Sequence, residues 1–408
     1  MEPLVEKAAE LPVGIVGAGT MGAGIAQVAL AAGHPVLLYD ADAAALDRAR
    51  GRIADGLNRW AAKRSATSQT AAATVAGQLA RLDVAPTAED LAAASAVVIE
   101  AVLEDLSLKV SLFRALDAAA RPDAILATNT SALSVAAIAV EARRPDRVIG
   151  LHFFNPAPVM RLVEVVAPPA ADRLLVDRAV GLMTAWGKTP VRCADAPGFI
   201  VNRVNRPYTL EALRILESGL AGIAQLDGAA RAAGYPMGPF ELMDLVGIDV
   251  NLAAARGLFE GFGHEPRFRP SRIQERLVTA GALGRKTGRG FYQYDDAGRI
   301  VSVSPDLPVE ETAPKRAARP ESPAHELVDR LTLGIVNEAY RALGEGVASA
   351  PDIDLALKLG AGHPLGPFER VEAMGGPRVV AERLIRFAEA HGDRFTPAPV
   401  LMALAPAG

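Results

Sequence analysis

A glycine-rich turn constrains the fold of this 408-residue chain more than any other segment. It reads GAGTMG at positions 17–22, after an apolar run at 13–16 and before a stretch of small residues at 23–32 that stops at Gly33. A strand that enters a helix through such a turn is typical of a helix-covered parallel sheet. The segment therefore predicts the first strand and the first helix of an α/β domain.

The same turn predicts a dinucleotide site. Gly17 permits the tight turn, Gly19 lets a pyrophosphate approach the backbone, and Gly22 lets the helix pack closely on the strand. Thr20 and Met21 lie between these glycines and complete the predicted cofactor contacts at the helix N-terminus. FAD proteins carry the same turn, so the turn alone does not choose the chemistry.

An acid at the end of the second predicted strand favours NAD. Asp40 directly follows the apolar run at 35–39, which is the next strand-like run after the glycine-rich turn. In that place a carboxylate accepts hydrogen bonds from the adenosine ribose hydroxyls and repels a 2′-phosphate. We therefore predict NAD, rather than NADP, as the cofactor.

Strand-like and helical segments alternate through the first half of the chain. The strand-like runs lie at 13–16, 35–39, 96–101, 124–128, 148–153 and 162–166. This rhythm predicts a parallel, doubly wound sheet of the Rossmann type over residues 1–194. From residue 195 helical patterns take over and predict an all-α domain at 195–298. Residues 299–323 are rich in proline and charge and predict a linker to a second helical domain at 324–408.

The two helical segments resemble each other. Glu211, Gly219 and Asp227 are repeated, at the same spacing, by Glu338, Gly346 and Asp354. After a shift of one residue, the heptapeptide at 234–240 is repeated at 362–368. We therefore predict an internal repeat. The copies differ where Asn202, Leu242 and Asp244 fall opposite Asp329, Arg370 and Glu372. This difference predicts that one copy acts and the other supports it.

A histidine and an acid occur in two neighbouring apolar strands. His152 and Glu164 are separated by a segment, 155–158, that favours a turn. Side chains alternate along the second strand, so Glu164 shares a face with Leu162 and Val166, where an ionised carboxylate needs a partner. His152 is the natural partner, and its other ring nitrogen could move protons. The residues alone leave two interpretations open, a buried pair within a core or a catalytic pair.

Composition excludes several functional classes. Lys and Arg total 43 and Asp and Glu 47, which gives a net charge of −4 without a basic stripe, so we expect no nucleic-acid partner. No apolar run is long enough to span a membrane and the leader at 1–11 lacks an apolar core, which argues against a membrane anchor or a secretory signal. The single cysteine, Cys193, fits a reducing compartment. We predict a cytoplasmic protein without a metal site.

With these motifs together, the chain resembles the NAD-dependent L-3-hydroxyacyl-CoA dehydrogenase family, including its 3-hydroxybutyryl-CoA members. The motifs run in order from residue 12 to about 294: GAGTMGAGIA at 17–26, EAVLEDLSLK at 100–109, TNTSAL at 128–133, HFFNPAPVMRLVEV at 152–165, PGFIVNR at 197–203, PMGPFELMDLVGIDV at 236–250 and GRKTGRGFY at 284–292. The resemblance implies oxidation of a 3-hydroxyacyl-CoA to the 3-ketoacyl-CoA, or the reverse, as in fatty-acid β-oxidation. It fixes neither the acyl chain length nor the pathway.

The resemblance also implies roles for individual residues. His152 and Glu164 match the catalytic pair of the family, in which the histidine removes the hydroxyl proton while hydride leaves for the nicotinamide. Ser131 and Asn202 match residues that hold the substrate beside that histidine. Three further positions match residues that line the cofactor: Glu104, Lys109 and Asn155.

Some features depart from the family pattern. Arg161 stands where the family often has lysine, which keeps the charge but not the shape. The coenzyme A contacts of the family fall in the segment at 53–80, where Lys63 and Arg64 are candidate phosphate partners. Family members use their helical domain to dimerise, whereas this chain carries two helical copies and no hydratase segment. We therefore expect an internal pseudo-dimer that is a monomer or a weak homo-oligomer.

Two other functions stay open. One is a related NAD-dependent dehydrogenase that acts on a free hydroxy acid or sugar acid with the same fold and the same His–Glu pair. Dehydrogenases with a similar glycine-rich start that rely on a lysine form a different group, and the HFFNP motif argues against them. An inactive NAD-binding scaffold would need none of the four residues matched to the reaction: His152, Glu164, Ser131 and Asn202.

Overall fold

The computed structural model describes residues 12–63, 67–305 and 323–405. The chain divides into two compact units, of which the first ends at Ala196 and the second begins at Pro197. Arg64 and most of the predicted linker lie outside the described residues. None of the described helices is both long enough and apolar enough to cross a membrane.

The first unit is built on an eight-stranded sheet. Its strands are β1 Val13–Val16, β2 Val36–Tyr39, β3 Leu82–Val84, β4 Val97–Glu100, β5 Ile125–Thr128, β6 Val148–Phe153, β7 Leu162–Ala167 and β8 Thr189–Ala194. They are ordered β3-β2-β1-β4-β5-β6-β7-β8, so the strand order reverses between β1 and β4. The predicted Rossmann-type sheet is confirmed, and the glycine-rich turn follows β1 at this reversal, where such sheets bind their ligands.

The last two strands run against the first six. β1 to β6 are mutually parallel, β7 pairs antiparallel with β6, and β8 runs parallel to β7. The parallel pattern thus holds for the first six strands, and β7 turns back against β6, as the turn favoured at 155–158 allows. The physical reason is the short connection at 154–161, because parallel neighbours need a crossover of roughly a dozen residues or more.

Helices accompany this sheet. They are α1 Thr20–Ala31, α2 Ala43–Ala62, α3 Ser68–Leu79, α4 Ala88–Ala94, α5 Leu106–Ala119, α6 Val135–Ile138 and α7 Arg173–Ala185. Most begin at a side chain that accepts a hydrogen bond from an amide of the first turn, as Asp42 and Asp105 do. α1 instead begins at Gly19, and among the described residues no side chain caps it. The amides of its first turn can therefore receive an anionic group.

The second unit is mainly helical. Its helices are α8 Val201–Val204, α9 Arg206–Glu217, α10 Ile223–Ala232, α11 Pro239–Val246, α12 Ile248–Gly261, α13 Arg272–Thr279, α14 Ala324–Gly344, α15 Ala350–Gly360, α16 Pro367–Ala373, α17 Pro377–His391 and α18 Pro399–Leu404. A two-stranded antiparallel sheet, β9 Tyr292–Tyr294 and β10 Ile300–Val303, was not predicted, and β10 lies within the segment predicted as a linker. We call residues 197–298 the first helical stretch and residues 324–405 the second helical stretch.

Candidate active site

His152 and Glu164 face each other across the antiparallel pair of β6 and β7. The strand register makes them direct partners, and His152 Nδ1 lies 2.6 Å from Glu164 Oε2. Only 5% of His152 is exposed, and Glu164 is fully buried. The imidazole N–H stabilises this buried carboxylate, and the carboxylate fixes the orientation of the ring. Glu164 thus engages Nδ1, so proton transfer by this ring would use Nε2.

The glycine-rich turn has the shape that a dinucleotide requires. Gly17 has a φ of +104° and donates its amide to Tyr39 O at 2.8 Å, and a Cβ there would lie 2.5 Å from Ala101 O. A Cβ at Gly22 would collide with the carbonyl of Gly17. By contrast, no described atom lies within 4 Å of a Cβ built at Gly19. Packing therefore demands glycine at two positions, while the third leaves space for a phosphate.

Asp40 lies beside this turn. Its Oδ2 accepts from the Ala18 amide at 2.7 Å, and its Oδ1 accepts from the Asp42 amide at 2.9 Å. Arg52 donates to Ala18 O at 2.7 Å, so the turn is held from both sides. Asp40 thus directly follows β2, next to the bend that follows β1, which is the position that the predicted ribose contact requires.

Lys109 belongs to a buried ion-pair cluster. Its Nζ lies 2.6 Å from Glu100 Oε1 and 3.1 Å from Glu104 Oε2. Glu100, at the end of β4, also accepts from the Thr128 hydroxyl at 2.7 Å. Sequence reasoning selected Lys109 and Glu104 but missed Glu100. The available indication was an acid that closes an otherwise apolar strand, VVIE.

Glu104 connects this cluster to the segment after β5. Its Oε1 accepts from the Thr130 hydroxyl at 2.6 Å and from the Ser131 amide at 3.0 Å. Burial by itself would raise the pKa of Glu104, but Lys109 and these hydrogen bonds lower the pKa below its ordinary value. Ser131 is exposed at the carboxyl end of the sheet. The structure therefore brings together three of the predicted residues, Glu104, Lys109 and Ser131.

The connection between β6 and β7 carries Asn155, which is exposed and precedes a cis peptide bond to Pro156. Lys188 holds this connection by donating to Ala157 O at 2.5 Å and to Met160 O at 2.8 Å. Burial lowers the pKa of Lys188 to about 8. Sequence reasoning missed this lysine, because nothing in its local pattern separates it from a lysine on the surface.

Other predicted site residues lie elsewhere. Thr20 and Met21 open α1, Lys63 is exposed at the end of α2, and Asn202 belongs to α8 of the second unit. Arg64 lies outside the described residues. Within residues 12–63, 67–305 and 323–405, no three or more His, Cys, Asp or Glu side chains are grouped to hold a metal ion.

Two protein-family models together match nearly the whole chain. The description "3-hydroxyacyl-CoA dehydrogenase, NAD binding domain" matches residues 12–196. The description "3-hydroxyacyl-CoA dehydrogenase, C-terminal domain" matches residues 198–294 and also 327–408. The chain belongs to the 3-hydroxyacyl-CoA dehydrogenase family. The resemblance inferred from the motifs and the choice of NAD are thereby confirmed.

Relatives in the 3-hydroxyacyl-CoA dehydrogenase family differ in how much of this chain they match. The 3-hydroxyadipyl-CoA dehydrogenase of Escherichia coli (strain K12) is 38% identical over 95% of this chain and 96% of its own length. The mitochondrial hydroxyacyl-coenzyme A dehydrogenase of Homo sapiens is 42% identical over 69% of this chain and 90% of its own length. The crystal structure of 3-hydroxybutyryl-CoA dehydrogenase from Escherichia coli K12 has a TM-score of 0.84 at 36% identity and covers 97% of this chain and 98% of its own.

Proposed function

We propose that the protein oxidises (S)-3-hydroxyacyl-CoA thioesters to 3-ketoacyl-CoA with NAD, and catalyses the reverse reduction, with His152 and Glu164 as the proton-transfer pair. One observation carries the proposal: His152 Nδ1 and Glu164 Oε2 are buried 2.6 Å apart in the unit that contains the dinucleotide turn. The relatives named above support the substrate class, since their names specify 3-hydroxyacyl thioesters.

The two side chains divide the work of moving the proton. In the oxidation, neutral His152 accepts the proton of the 3-hydroxyl group at Nε2. Glu164 holds the Nδ1–H, which fixes the tautomer and stabilises the imidazolium as it forms. Because Glu164 is fully buried, solvent screens this attraction only weakly. In the reduction, the imidazolium returns the proton to the carbonyl oxygen.

NAD, when bound, supplies the nicotinamide ring that accepts hydride from the substrate. The glycine-rich turn and the first turn of α1 would hold its pyrophosphate, and Asp40 would hold its adenosine ribose. The positions proposed to contact the cofactor are Gly17, Gly19, Thr20, Met21, Gly22, Asp40, Glu104, Lys109 and Asn155.

Substrate contacts are proposed for Ser131, Asn202 and Lys63. Ser131 and Asn202 would present the hydroxyl to His152, and Lys63 would contact a phosphate of coenzyme A.

The preferred chain length of the acyl group can be determined by measuring initial rates with thioesters of increasing length, each with and without a terminal carboxylate. These thioesters include the substrate types named in the two relatives, a hydroxyadipyl thioester with a terminal carboxylate and a hydroxybutyryl thioester without one.

The cytoplasm is the proposed compartment, and cell fractionation would test it.

We also propose that the second helical stretch is a divergent copy of the first. Asp227 accepts from the amides at 240 and 241 (3.0 and 3.1 Å), and Asp354 accepts from those at 368 and 369 (2.8 and 3.2 Å). The helices that precede these motifs, α9 and α14, are each followed two residues later by a glycine of positive φ, +66° at Gly219 and +70° at Gly346. Shared local geometry at corresponding positions supports duplication.

The two stretches exchange ion pairs reciprocally. Glu211 of the first stretch accepts from Arg330 at 3.1 Å and from Arg394 at 2.5 Å, both in the second. Glu338 of the second stretch accepts from Arg203 at 2.7 Å and from Arg267 at 2.9 Å, both in the first. Each pair recurs at the corresponding positions with the partners exchanged, as two-fold symmetry requires. This reciprocity supports the proposed internal pseudo-dimer and a monomeric or weakly associating protein, which light scattering would test; a tight homodimer would contradict it.

The catalytic pair is tested by His152→Ala, with turnover of NADH measured on acetoacetyl-CoA. We expect kcat to fall roughly 10²- to 10⁴-fold while NADH still binds, since a positioned acid or base contributes that range. His325→Ala, which removes an exposed histidine from the second unit, is the matched control and should retain full turnover.

Two outcomes would contradict the proposal. Unchanged turnover in His152→Ala would remove the pair from the mechanism. Faster NADH oxidation by the unmodified protein with free keto acids than with CoA thioesters would favour a hydroxy-acid dehydrogenase instead.

A further inference from the structure

The residue after Asn202 is anchored by the second helical stretch. Arg203 is fully buried, and its Nε lies 2.7 Å from Glu338 Oε1. Its two terminal nitrogens donate to both oxygens of Glu345, at 2.7 and 2.9 Å. Burial would lower the pKa of Arg203, but Glu345 and Glu338 raise the pKa above its ordinary value. Three charge-assisted hydrogen bonds to a planar guanidinium leave its segment little freedom.

A second anchor lies two residues beyond Arg203, at Asn205. His363 of the second helical stretch donates from Nε2 to Asn205 Oδ1 at 2.9 Å. Asn205 lies between α8 and α9, and α8 packs against α14 and α15 of the second stretch. The four-residue helix that carries Asn202 is therefore held by the second stretch at both of these points.

α8 needs such support, because its sequence cannot hold it in place. Four residues form about one turn, which is far below the length of a helix that is stable by itself. The turn before it contains Gly198 and Phe199, with φ values of +73° and +50°. Positive φ strains a residue with a bulky side chain, and such strain persists only where surrounding contacts hold it. Pro207, near the start of α9, separates the short helix from the next one.

The corresponding arginine of the second stretch is held less tightly. Arg330 is the counterpart of Arg203 in the repeat and donates to Glu211 at 3.1 Å. Ser218 occupies the position that corresponds to Glu345. Among the described residues, none accepts a hydrogen bond from the buried Nε of Arg330. Arg203, next to Asn202, thus has a second carboxylate partner in Glu345, whereas a serine occupies the corresponding position of the first stretch.

We propose that the second helical stretch positions Asn202 for the reaction, by clamping α8 through Glu345 and Glu338 at Arg203 and through His363 at Asn205. Glu345 and His363 are then positioning residues, which act through α8 and touch neither the substrate nor the cofactor. The proposal rests on the substrate role proposed above for Asn202. It gives the second stretch a function in a reaction whose proposed proton-transfer pair lies in the first unit.

The test is a double-mutant cycle between Glu345 and Asn202, with acetoacetyl-CoA and NADH as probes. Glu345→Ser introduces the residue found at the corresponding position of the first stretch, Ser218. Glu345 is half-exposed, so we expect the variant to fold. We expect kcat/KM for acetoacetyl-CoA to fall roughly 3- to 10-fold with the KM for NADH unchanged, since a small misplacement of a substrate contact is costly. In an Asn202→Ala background the same change should cause no further loss.

Two further variants serve as controls. Glu345→Gln keeps the length and one acceptor, so its loss should be smaller than that of Glu345→Ser. Glu372→Ser removes an exposed carboxylate elsewhere on the second stretch and should leave kcat/KM unchanged. Thermal unfolding midpoints of all variants exclude a general loss of folded protein.

The outcomes separate this proposal from the one on which it rests. If Asn202→Ala retains the unmodified kcat/KM, the substrate role of Asn202 is wrong. If Asn202→Ala loses activity but Glu345→Ser does not, the clamp is wrong and the substrate role stands. Equal losses from Glu345→Ser in both backgrounds, or a parallel rise in the KM for NADH, would also overturn the clamp.

Discussion

The two helical stretches differ most at their first helices. In the second stretch α14 runs without interruption for 21 residues, from Ala324 to Gly344. Under the proposed repeat, the residues of the first stretch that correspond to α14 form the turn at Gly198 and Phe199, then α8, and then α9. Pro207 stands where the second stretch has Gly334, and proline interrupts a helix because it lacks an N–H and crowds the preceding turn. In the proposed repeat, the first helix is thus interrupted in one copy and continuous in the other.

The two stretches also differ at the positions of Asp244 and Glu372. Asp244 is fully buried and accepts from the amides of Phe291 and Tyr292, both at 2.9 Å, and from the Tyr294 hydroxyl at 3.0 Å. Burial raises the pKa of Asp244 to about 6 in spite of these hydrogen bonds. Glu372 is exposed. One acid therefore anchors a β-strand, while its counterpart faces solvent.

The largest effect expected from this contrast is on stability. Asp244→Ala leaves two buried amides and a hydroxyl without their acceptor, so we expect the free energy of unfolding to fall by roughly 3–5 kcal/mol. Glu372→Ala should change it by less than about 0.5 kcal/mol, as is usual for an exposed site. Urea denaturation of both variants checks the prediction. Similar losses in the two variants would mean that Asp244 is not the anchor of this segment.

A smaller effect is expected from His363, whose counterpart is Tyr235. Burial, and then Arg370, lower the pKa of His363 to about 4. Between pH 6.5 and 4 the unfolded chain therefore binds more protons at this site than the folded chain. The stability contributed by neutral His363 is complete above pH 6.5 and is lost as the pH falls toward 4, by at most about 3 kcal/mol.

His363→Gln keeps an N–H donor for Asn205 but cannot titrate, so it should flatten the fall in unfolding free energy between pH 6.5 and 4. Tyr235→Phe is the matched control, because Tyr235 contacts Thr332 at 3.2 Å in the corresponding place and does not ionise in this range. It should lower stability equally at both pH values. A pH dependence that His363→Gln leaves unchanged would contradict the assignment.

The smallest effect is expected at the interruption itself. Gly198 has a φ of +73°, and a Cβ there would lie 2.7 Å from Leu258 Cδ2 and 3.1 Å from the Arg203 amide nitrogen. Gly198→Ala should therefore lower the free energy of unfolding by about 1–2 kcal/mol. His325→Ala, at the corresponding position inside α14, should be neutral or slightly stabilising because alanine favours helices. Equal effects of the two changes in thermal unfolding would mean that the turn is not strained.

Local patterns predicted much of the first unit. The runs at 13–16 and 148–153 are strands with those bounds, and the glycine-rich turn lies between β1 and α1. The pairing of His152 with Glu164 followed from side-chain alternation and a short turn, which together fix an antiparallel register. β3 was not predicted, because only one of its three side chains is buried and its pattern is weak.

The sequence by itself therefore determined six strands of the sheet, the glycine-rich turn and the His152–Glu164 pair, because sterics and periodicity act over a few residues. Only the tertiary structure decided which charged side chains are buried together. Lys109 pairs with Glu100 across 9 residues, whereas Arg203 reaches Glu345 across 142. In a sequence such residues resemble solvated surface charge, and desolvation turns them into anchors only where the fold brings a partner of opposite charge within hydrogen-bonding distance.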